Sequence, residues 1–358
     1  MLSATRWVES LSPWPADGFG LDRIRALLAE LGDPQLRYPA VHVVGTNGKS
    51  TTTRLTEALL ADAGLAAGAY LSPHVRGWSE RVRIRGEEAD FERAVAAVRE
   101  PAERLGATQF EVLTAAALNA FAEAAVDVAV VEAGLGGRHD ATNVLASRVV
   151  VVTNVALDHM DVLGDTREVI AAEKLAVVHP GSVVVLSEEE WKPLVPDNAV
   201  VLTARSNLAL AIAAAEAFLG RPVDPHAAEA VALPGRLEHR SEDPLEIWDG
   251  AHNLAGVGYL LPRLPDRRFT IVASILGDKR PELMLEALSV VGDTLIATES
   301  RNGRSLTAGE LAEIGRRHFA HVEAEPDPEA ARRRALEAGG AVLVTGSLYL
   351  LSELHGDG

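Results

Sequence analysis

Val41-His42-Val43-Val44-Gly45-Thr46-Asn47-Gly48-Lys49-Ser50-Thr51-Thr52-Thr53 is the stretch on which the fold turns. Val41, Val43 and Val44 read as a buried strand, and Gly45 to Gly48 as a turn. Lys49-Ser50-Thr51 opens a helical pattern that runs on through Leu55, Ala58, Leu59 and Ala63. Strand, glycine turn and helix start are the setting in which a Gly-Lys-Ser triplet becomes a phosphate-binding loop rather than an ordinary βα turn. Successive backbone N–H groups and the positive helix end face the anion. Gly45 and Gly48 let the backbone approach it, Lys49 neutralises terminal phosphates, and Ser50 or Thr51 offers a hydroxyl to Mg²⁺. Val43 stands where the common Walker spacing has glycine, so the loop is a shorter Gly-Thr-Asn-Gly-Lys-Ser form.

With 358 residues, two domains are expected, and 47% hydrophobic content supplies their cores. A net charge of -17 without a long basic run argues against nucleic acid or an anionic membrane as partner. Any anionic ligand is then held by local Lys and Arg. The chain has no cysteine, which removes disulfides, thiolate metal sites and cysteine nucleophiles. The N-terminus lacks a basic segment leading into an apolar core, and charge interrupts every apolar stretch before about 18 residues. Neither signal peptide nor membrane span is expected, and the location read from this is cytoplasmic.

Around the loop, the chemistry gathers where apolar runs end. Ala66 to Leu71 is a second strand, closed by Ser72-Pro73-His74, which is either a plain turn or a hydroxyl near the phosphates. In open α/β sheets ligands collect at the C-terminal ends of strands. Residues 80–88 alternate charge with Val82 and Ile84 as one half-exposed strand. Helices follow at about 90–105 and 110–125. Asp127 to Val131 is a buried strand delivering Glu132, then Gly134, Gly136 and Gly137, with Arg138 and Asp140 at the rim of a cleft. A carboxylate there suits the Mg²⁺ of a nucleotide. Val149 to Thr153 delivers Asn154 and Asp158-His159, where His159 reads as a ligand or a supporting group. Thr166 caps a helix that carries Lys174 one or two turns before its end, by itself a solvated charge. Short strands at 182–186 and 199–202 precede an alanine-rich helix from Asn207. Residues 233–244 read as a turn and an irregular stretch, and the domain boundary is placed at 240/241. Strands at 245–248, 269–274, 293–298 and 341–345 alternate with helices in the second half. Asp249 and His252 follow the first of these strands.

Taken together, these stretches resemble the dihydrofolate synthase/folylpolyglutamate synthase family of the Mur ligase superfamily. They are Gly20-Leu21-Asp22-Arg23, the GTNGKST loop, Ser72-Pro73-His74 with Glu80-Arg81, Phe110-Glu111, Glu132 to Asn143, Leu157-Asp158-His159, Glu173-Lys174, Pro234-Gly235-Arg236, Asp249 to Asn253 and Thr345 to Tyr349. The run Glu132 to Asn143 is the most specific.

The resemblance implies an α/β fold in two domains. Residues 1–240 form an ATP-binding, P-loop-type, mostly parallel sheet flanked by helices, and residues 241–358 a smaller Rossmann-like domain that binds glutamate. It implies that Thr46, Asn47, Gly48, Lys49, Ser50 and Thr51 hold ATP phosphates, and that Asn207, Arg236 and Asp249 also contact ATP. Ser72, Glu132 and His159 would ligate Mg²⁺. Lys174 matches a lysine that is carbamylated and helps hold a second Mg²⁺. Gly20, Leu21, Phe110, Glu111, Arg138 and Asp140 would line the pterin site, and His252 would lie near the incoming glutamate.

Two departures stand out. Ser50 occupies the place of a glycine, which leaves open whether Ser50 or Thr51 meets Mg²⁺. The β-rich segment at about 180–205 is shorter than usual. The chemistry implied is ATP-dependent amide formation between L-glutamate and dihydropteroate or reduced folates, through an acyl phosphate, by a monomer. The same loop would also serve a ligase acting on a peptidoglycan precursor, or a phosphotransferase.

Overall fold

Short, valine-rich apolar runs form parallel strands covered by helices on each side. In the computed structural model, which describes residues 3–15, 18–197 and 200–356, such runs build two sheets. Close contacts divide the chain into one unit of residues 1–74 with 78–231 and a second of residues 75–77 with 232–358. The boundary expected at 240/241 falls inside a strand, Glu238–Glu242.

In the first unit the strands are Ala40–Val44 (β1), Ala67–Tyr70 (β2), Val82–Ile84 (β3), Glu87–Glu88 (β4), Val128–Glu132 (β5), Val149–Val152 (β6), Val183–Leu186 (β7) and Val200–Thr203 (β8). Their spatial order is β4-β3-β2-β5-β1-β6-β7-β8. Every pairing is parallel except the two that β3 makes. Residues 80–88, expected as one strand, are instead the end of a short 3₁₀ turn followed by a hairpin. Arg85 and Gly86 both take positive φ, as a tight hairpin turn requires. Within the segment at 180–205, β7 and β8 extend the main sheet.

Alternation along β1 sorts its side chains. Val41 and Val43 pack with Leu55, Leu59 and Leu60 of the helix Lys49–Asp62 on one face. Val44 packs with Ile170 of the helix Arg167–Leu175 on the other. Farther along the sheet, Gly68 of β2 lies against Phe121, and a Cβ at Gly68 would come within 2.7 Å of that ring.

The second unit contains Glu238–Glu242 (β9), Leu245–Trp248 (β10), Phe269–Ala273 (β11), Thr294–Ala297 (β12), His321–Ala324 (β13) and Ala341–Thr345 (β14), in the order β13-β12-β11-β14-β10-β9. Only β9 pairs antiparallel. The irregular stretch expected up to Pro244 is therefore largely a strand. β9 and β13 carry charged, mostly exposed side chains without an apolar stripe, and edge strands of that kind give little periodic signal. Among the described residues no helix is long and apolar enough to cross a membrane.

Phe121 is fully buried, so Phe121→Ala removes a ring from a packed core. The expected cost is about 3–5 kcal/mol, read as a lower denaturant midpoint for the first unit's unfolding transition.

Candidate functional site

The phosphate loop is built by two glycines that other residues could not replace. Gly48 takes φ 81° at the start of the helix Lys49–Asp62, and a Cβ there would sit 2.6 Å from Asn207 Oδ1. Gly45 takes φ 147°, with Thr153 Oγ1 only 1.9 Å from where its Cβ would be. The loop is tied to the residues that follow β6. Thr46 N–H donates to Asn154 O (2.9 Å) and Asn47 N–H to Asn154 Oδ1 (2.8 Å). Thr153 Oγ1 donates to Asn47 O (2.7 Å), and Thr46 Oγ1 accepts from Ala156 N–H (3.0 Å). Two amides expected to hold phosphate are thus spent within the chain. Thr52 N–H closes the first helical bond onto Gly48 O (2.9 Å). The amides of residues 49–51 precede that bond and lie at the positive helix end.

Glu132 joins three elements. Its carboxylate, 1% exposed, accepts from Ser50 Oγ at 3.0 Å and from Ser72 N–H at 3.1 Å. β5 lies between β2 and β1, which puts the end of β2, Glu132 and the loop side by side. Arg81 Nη1 reaches Ser72 Oγ at 3.4 Å while its Nε donates to His74 Nδ1 at 2.8 Å. Burial, and then the Arg81 charge, push the His74 pKa down to about 3, so that ring is neutral. Of the two hydroxyls considered for a metal, Ser50 is the one bonded to the carboxylate.

His159 lies on the other flank of β1. It takes φ 50° just before the short helix Met160–Leu163, and its N–H donates to Asp158 Oδ1 at 3.0 Å. Its Nε2 is 3.9 Å from the same oxygen. Among the described residues no group of three or more His, Asp or Glu side chains could hold a metal by itself. The donors here are one carboxylate, serine hydroxyls and one imidazole. Such a sparse, mostly hard-oxygen set fits a divalent cation that takes its remaining ligands from phosphate oxygens and water.

Lys174 is not a solvated charge. It lies in the last turn of its helix, later than the sequence spacing implied. It is 3% exposed, and its Nζ donates to Gly45 O at 2.8 Å. Burial first, and then the charge of Lys49, push its pKa down to about 7, against the opposing pull of Asp158, Asp140 and Glu173. Lys49 Nζ itself rests on Thr46 O at 3.1 Å.

The loop after β5 is closely packed. A Cβ on Gly137 would lie 2.6 Å from Glu173 O and 2.7 Å from Lys174 O. Arg138 is half exposed and pairs with Glu173 at 3.1 Å. Asp140, expected at a rim, is buried. Its carboxylate accepts from Leu135 N–H at 2.8 Å and Thr142 N–H at 3.0 Å, and burial outweighs these bonds to raise its pKa. Phe110 packs over Gly134, where a Cβ would lie 2.5 Å from the ring. Glu111 accepts from Thr108 N–H and Oγ1, both at 2.8 Å, as a helix capping box. It also takes Arg23 Nε at 2.7 Å. Gly20 is exposed and Leu21 half-buried just before the helix Asp22–Glu30, which carries that arginine.

In the second unit Asp249 accepts from Leu237 N–H and Ala251 N–H, both at 2.9 Å. Burial raises its pKa, and Arg236 opposes the rise. His252 Nδ1 lies 2.9 Å from Gly250 O. A carbonyl only accepts, so the ring carries its proton on Nδ1.

Sequence reasoning passed over Thr153, His42 and Thr142 as site residues and gave Asn154 no role. His42, Thr153 and Asn154 share one signal, a polar residue inside or just after an apolar strand, whereas Thr142 lies in the loop between β5 and β6.

Residues 43–203 match the Mur ligase middle domain and residues 235–348 the Mur ligase, glutamate ligase domain. The chain is 34% identical to the dihydrofolate synthase/folylpolyglutamate synthase of Mycobacterium tuberculosis, over 86% of this chain and 78% of that protein. It is 33% identical to the protein of the same name from Escherichia coli, over 97% and 93%. Among solved structures, "E.coli FolC in complex with DHPP and ADP" superposes with a TM-score of 0.89 at 30% identity, covering 99% of this chain and 97% of that one. A bifunctional folylpolyglutamate synthase/dihydrofolate synthase with Mn, AMPPNP and L-glutamate bound superposes at 0.87 and 31% identity, covering 100% and 98%.

The depressed Lys174 pKa carries a sign for stability. Between about 7 and the ordinary 10.5 the unfolded chain binds a proton at this position that the folded one does not. Lys174 therefore makes stability rise with pH across that window, by up to about 1.4 kcal/mol per pH unit. Comparing urea unfolding of the protein with Lys174→Met in CO₂-free buffer from pH 7 to 10 should show the steeper rise only in the lysine form.

Proposed function

Since the chain belongs to the dihydrofolate synthase/folylpolyglutamate synthase family of Mur ligases, and so is an ATP-dependent ligase that adds glutamate to folates, we propose how its own residues carry that reaction. The observation that carries the proposal is the buried Glu132 carboxylate shared between Ser50 of the phosphate loop and the Ser72 amide.

The helix amides at 49–51 and Lys49 hold the ATP phosphates, and Asn207 borders them over Gly48. Ser50, Ser72, Glu132 and His159 hold one Mg²⁺. Lys174 holds a second as its carbamate, formed when the neutral amine attacks CO₂ and releases a proton. A pKa near 7 supports this, because much of the amine is then neutral at physiological pH. Bound at these places, the cations would neutralise charge on the transferring phosphoryl group.

The folate carboxylate attacks the γ-phosphorus and ADP leaves. The glutamate amine then adds to the acyl phosphate and displaces phosphate, leaving the amide. No side chain need form a covalent bond to substrate; positioning and charge supply the rate. Arg138, Phe110 and the loop around Asp140 contact the pterin-linked acceptor, with Gly20, Leu21 and Glu111 bordering it. In the second unit we assign Arg236 and Asp249 to nucleotide and His252 to glutamate. The partners are then ATP, L-glutamate and dihydropteroate or reduced folates, for a cytoplasmic monomer without nucleic-acid or membrane partners.

ADP release is expected with dihydropteroate and with tetrahydrofolate, in each case only when L-glutamate is present. Release that ignores glutamate, or that follows neither acceptor, would refute the scheme. Lys49→Ala should retain its circular dichroism and unfolding midpoint while losing about 10³-fold or more in turnover; near-normal turnover would remove Lys49 from the mechanism.

A further inference from the structure

His42 is an unexpected residue for the centre of a parallel sheet. It stands in β1 opposite Val131 of β5 and Val150 of β6, and its side chain is fully buried. Burial of this kind is tolerated when the polar atoms find partners. One does: His42 Nε2 lies 2.8 Å from Thr142 Oγ1. The same Thr142 hydroxyl makes a very short contact with Asp140 Oδ1. Asp140 in turn gathers the Leu135 and Thr142 amides. Three side chains thus form one line from the middle of the sheet to the loop after Glu132.

The chemistry of the line sets its direction. A carboxylate already receiving two backbone N–H groups is an acceptor, so the Thr142 hydroxyl donates its proton to Asp140. The hydroxyl then offers only lone pairs to His42, so Nε2 carries the ring proton and Nδ1 is bare. Among the described residues, Nδ1 is the ring atom without a partner. Burial, with His179 adding to it, keeps the ring neutral, as this arrangement needs.

We infer that His42 is a positioning residue for folate binding. Acting as a neutral Nε2–H donor through Thr142 to Asp140, it fixes the conformation of the loop of residues 133–143 and so the placement of Arg138. This rests on the assignment of that loop to the acceptor, proposed above. His42 itself touches no substrate.

The test uses steady-state kinetics of the full-length protein, because KM does not depend on what fraction of the preparation is folded. His42→Leu and Thr142→Val should each raise KM for dihydropteroate about tenfold while leaving KM for ATP within twofold. Thr142→Ser, which keeps the hydroxyl, should restore the original value. The double variant should be no worse than the single ones, since both cut one line. Arg138→Ala serves as the control on the loop. If it raises the acceptor KM but His42→Leu and Thr142→Val only lower stability, the positioning role is overturned and the loop assignment stands. If Arg138→Ala and the line variants all leave that KM unchanged, both fall. Independently, ¹⁵N-histidine spectra of the unliganded protein should show His42 as the Nε2–H tautomer. An Nδ1–H tautomer would reverse the line and overturn the inference.

Discussion

Parallel register is the constraint on which the site depends. β2, β5, β1 and β6 lie side by side and run the same way, so their C-terminal ends open on one edge. Val43 stands opposite Glu132 and Val44 opposite Val152. That register puts the carboxylate beside the loop that begins at Gly45, and Thr153 against Gly45 itself. A slip of one residue would turn Glu132 to the other face of the sheet. The hydrogen-bond ladder therefore does more for the chemistry than any single side chain.

At that edge, charged side chains are taken out of water. Glu132, Lys174 and Asp140 are all buried; the two carboxylates each accept from more than one donor, and Lys174 donates to Gly45 O. Leaving one such charge unpaired would cost several kcal/mol. The many exposed pairs, such as Arg99 with Glu103, contribute at most about 1 kcal/mol each. Stability and function thus meet in the same few bonds. Close packing supports them: Gly45, Gly134 and Gly137 each leave no room for a Cβ, so the loop conformations cannot relax without moving Thr153, Phe110 or the helix that carries Lys174.

Much of this could be seen in the chain before any coordinates. The phosphate loop, the strand ending at Glu132 and the cap Thr166 follow from local patterns, because each is decided by neighbours in sequence. Lys174 could not be placed that way. A lysine near the end of an amphipathic helix is ordinarily solvated, and only the packing of its helix against the Gly45 carbonyl removes it from water. Asp140 and Glu111 show the reverse case. Both carry a charge that reads as available to a ligand, yet backbone amides and Arg23 already engage them.

By itself the sequence determined the alternation of strands and helices, the glycine positions of the loop and the identities of the ionisable groups near it. Those are local matters of periodicity, φ preference and chemistry. Tertiary structure alone decided which hydroxyl meets Glu132, that Asn154 takes two of the loop's amides, that Lys174 loses its water, and that His42 lines up with Thr142 and Asp140. Each of these joins residues far apart in the chain, and their distances depend on strand order and register, which no stretch of sequence specifies on its own.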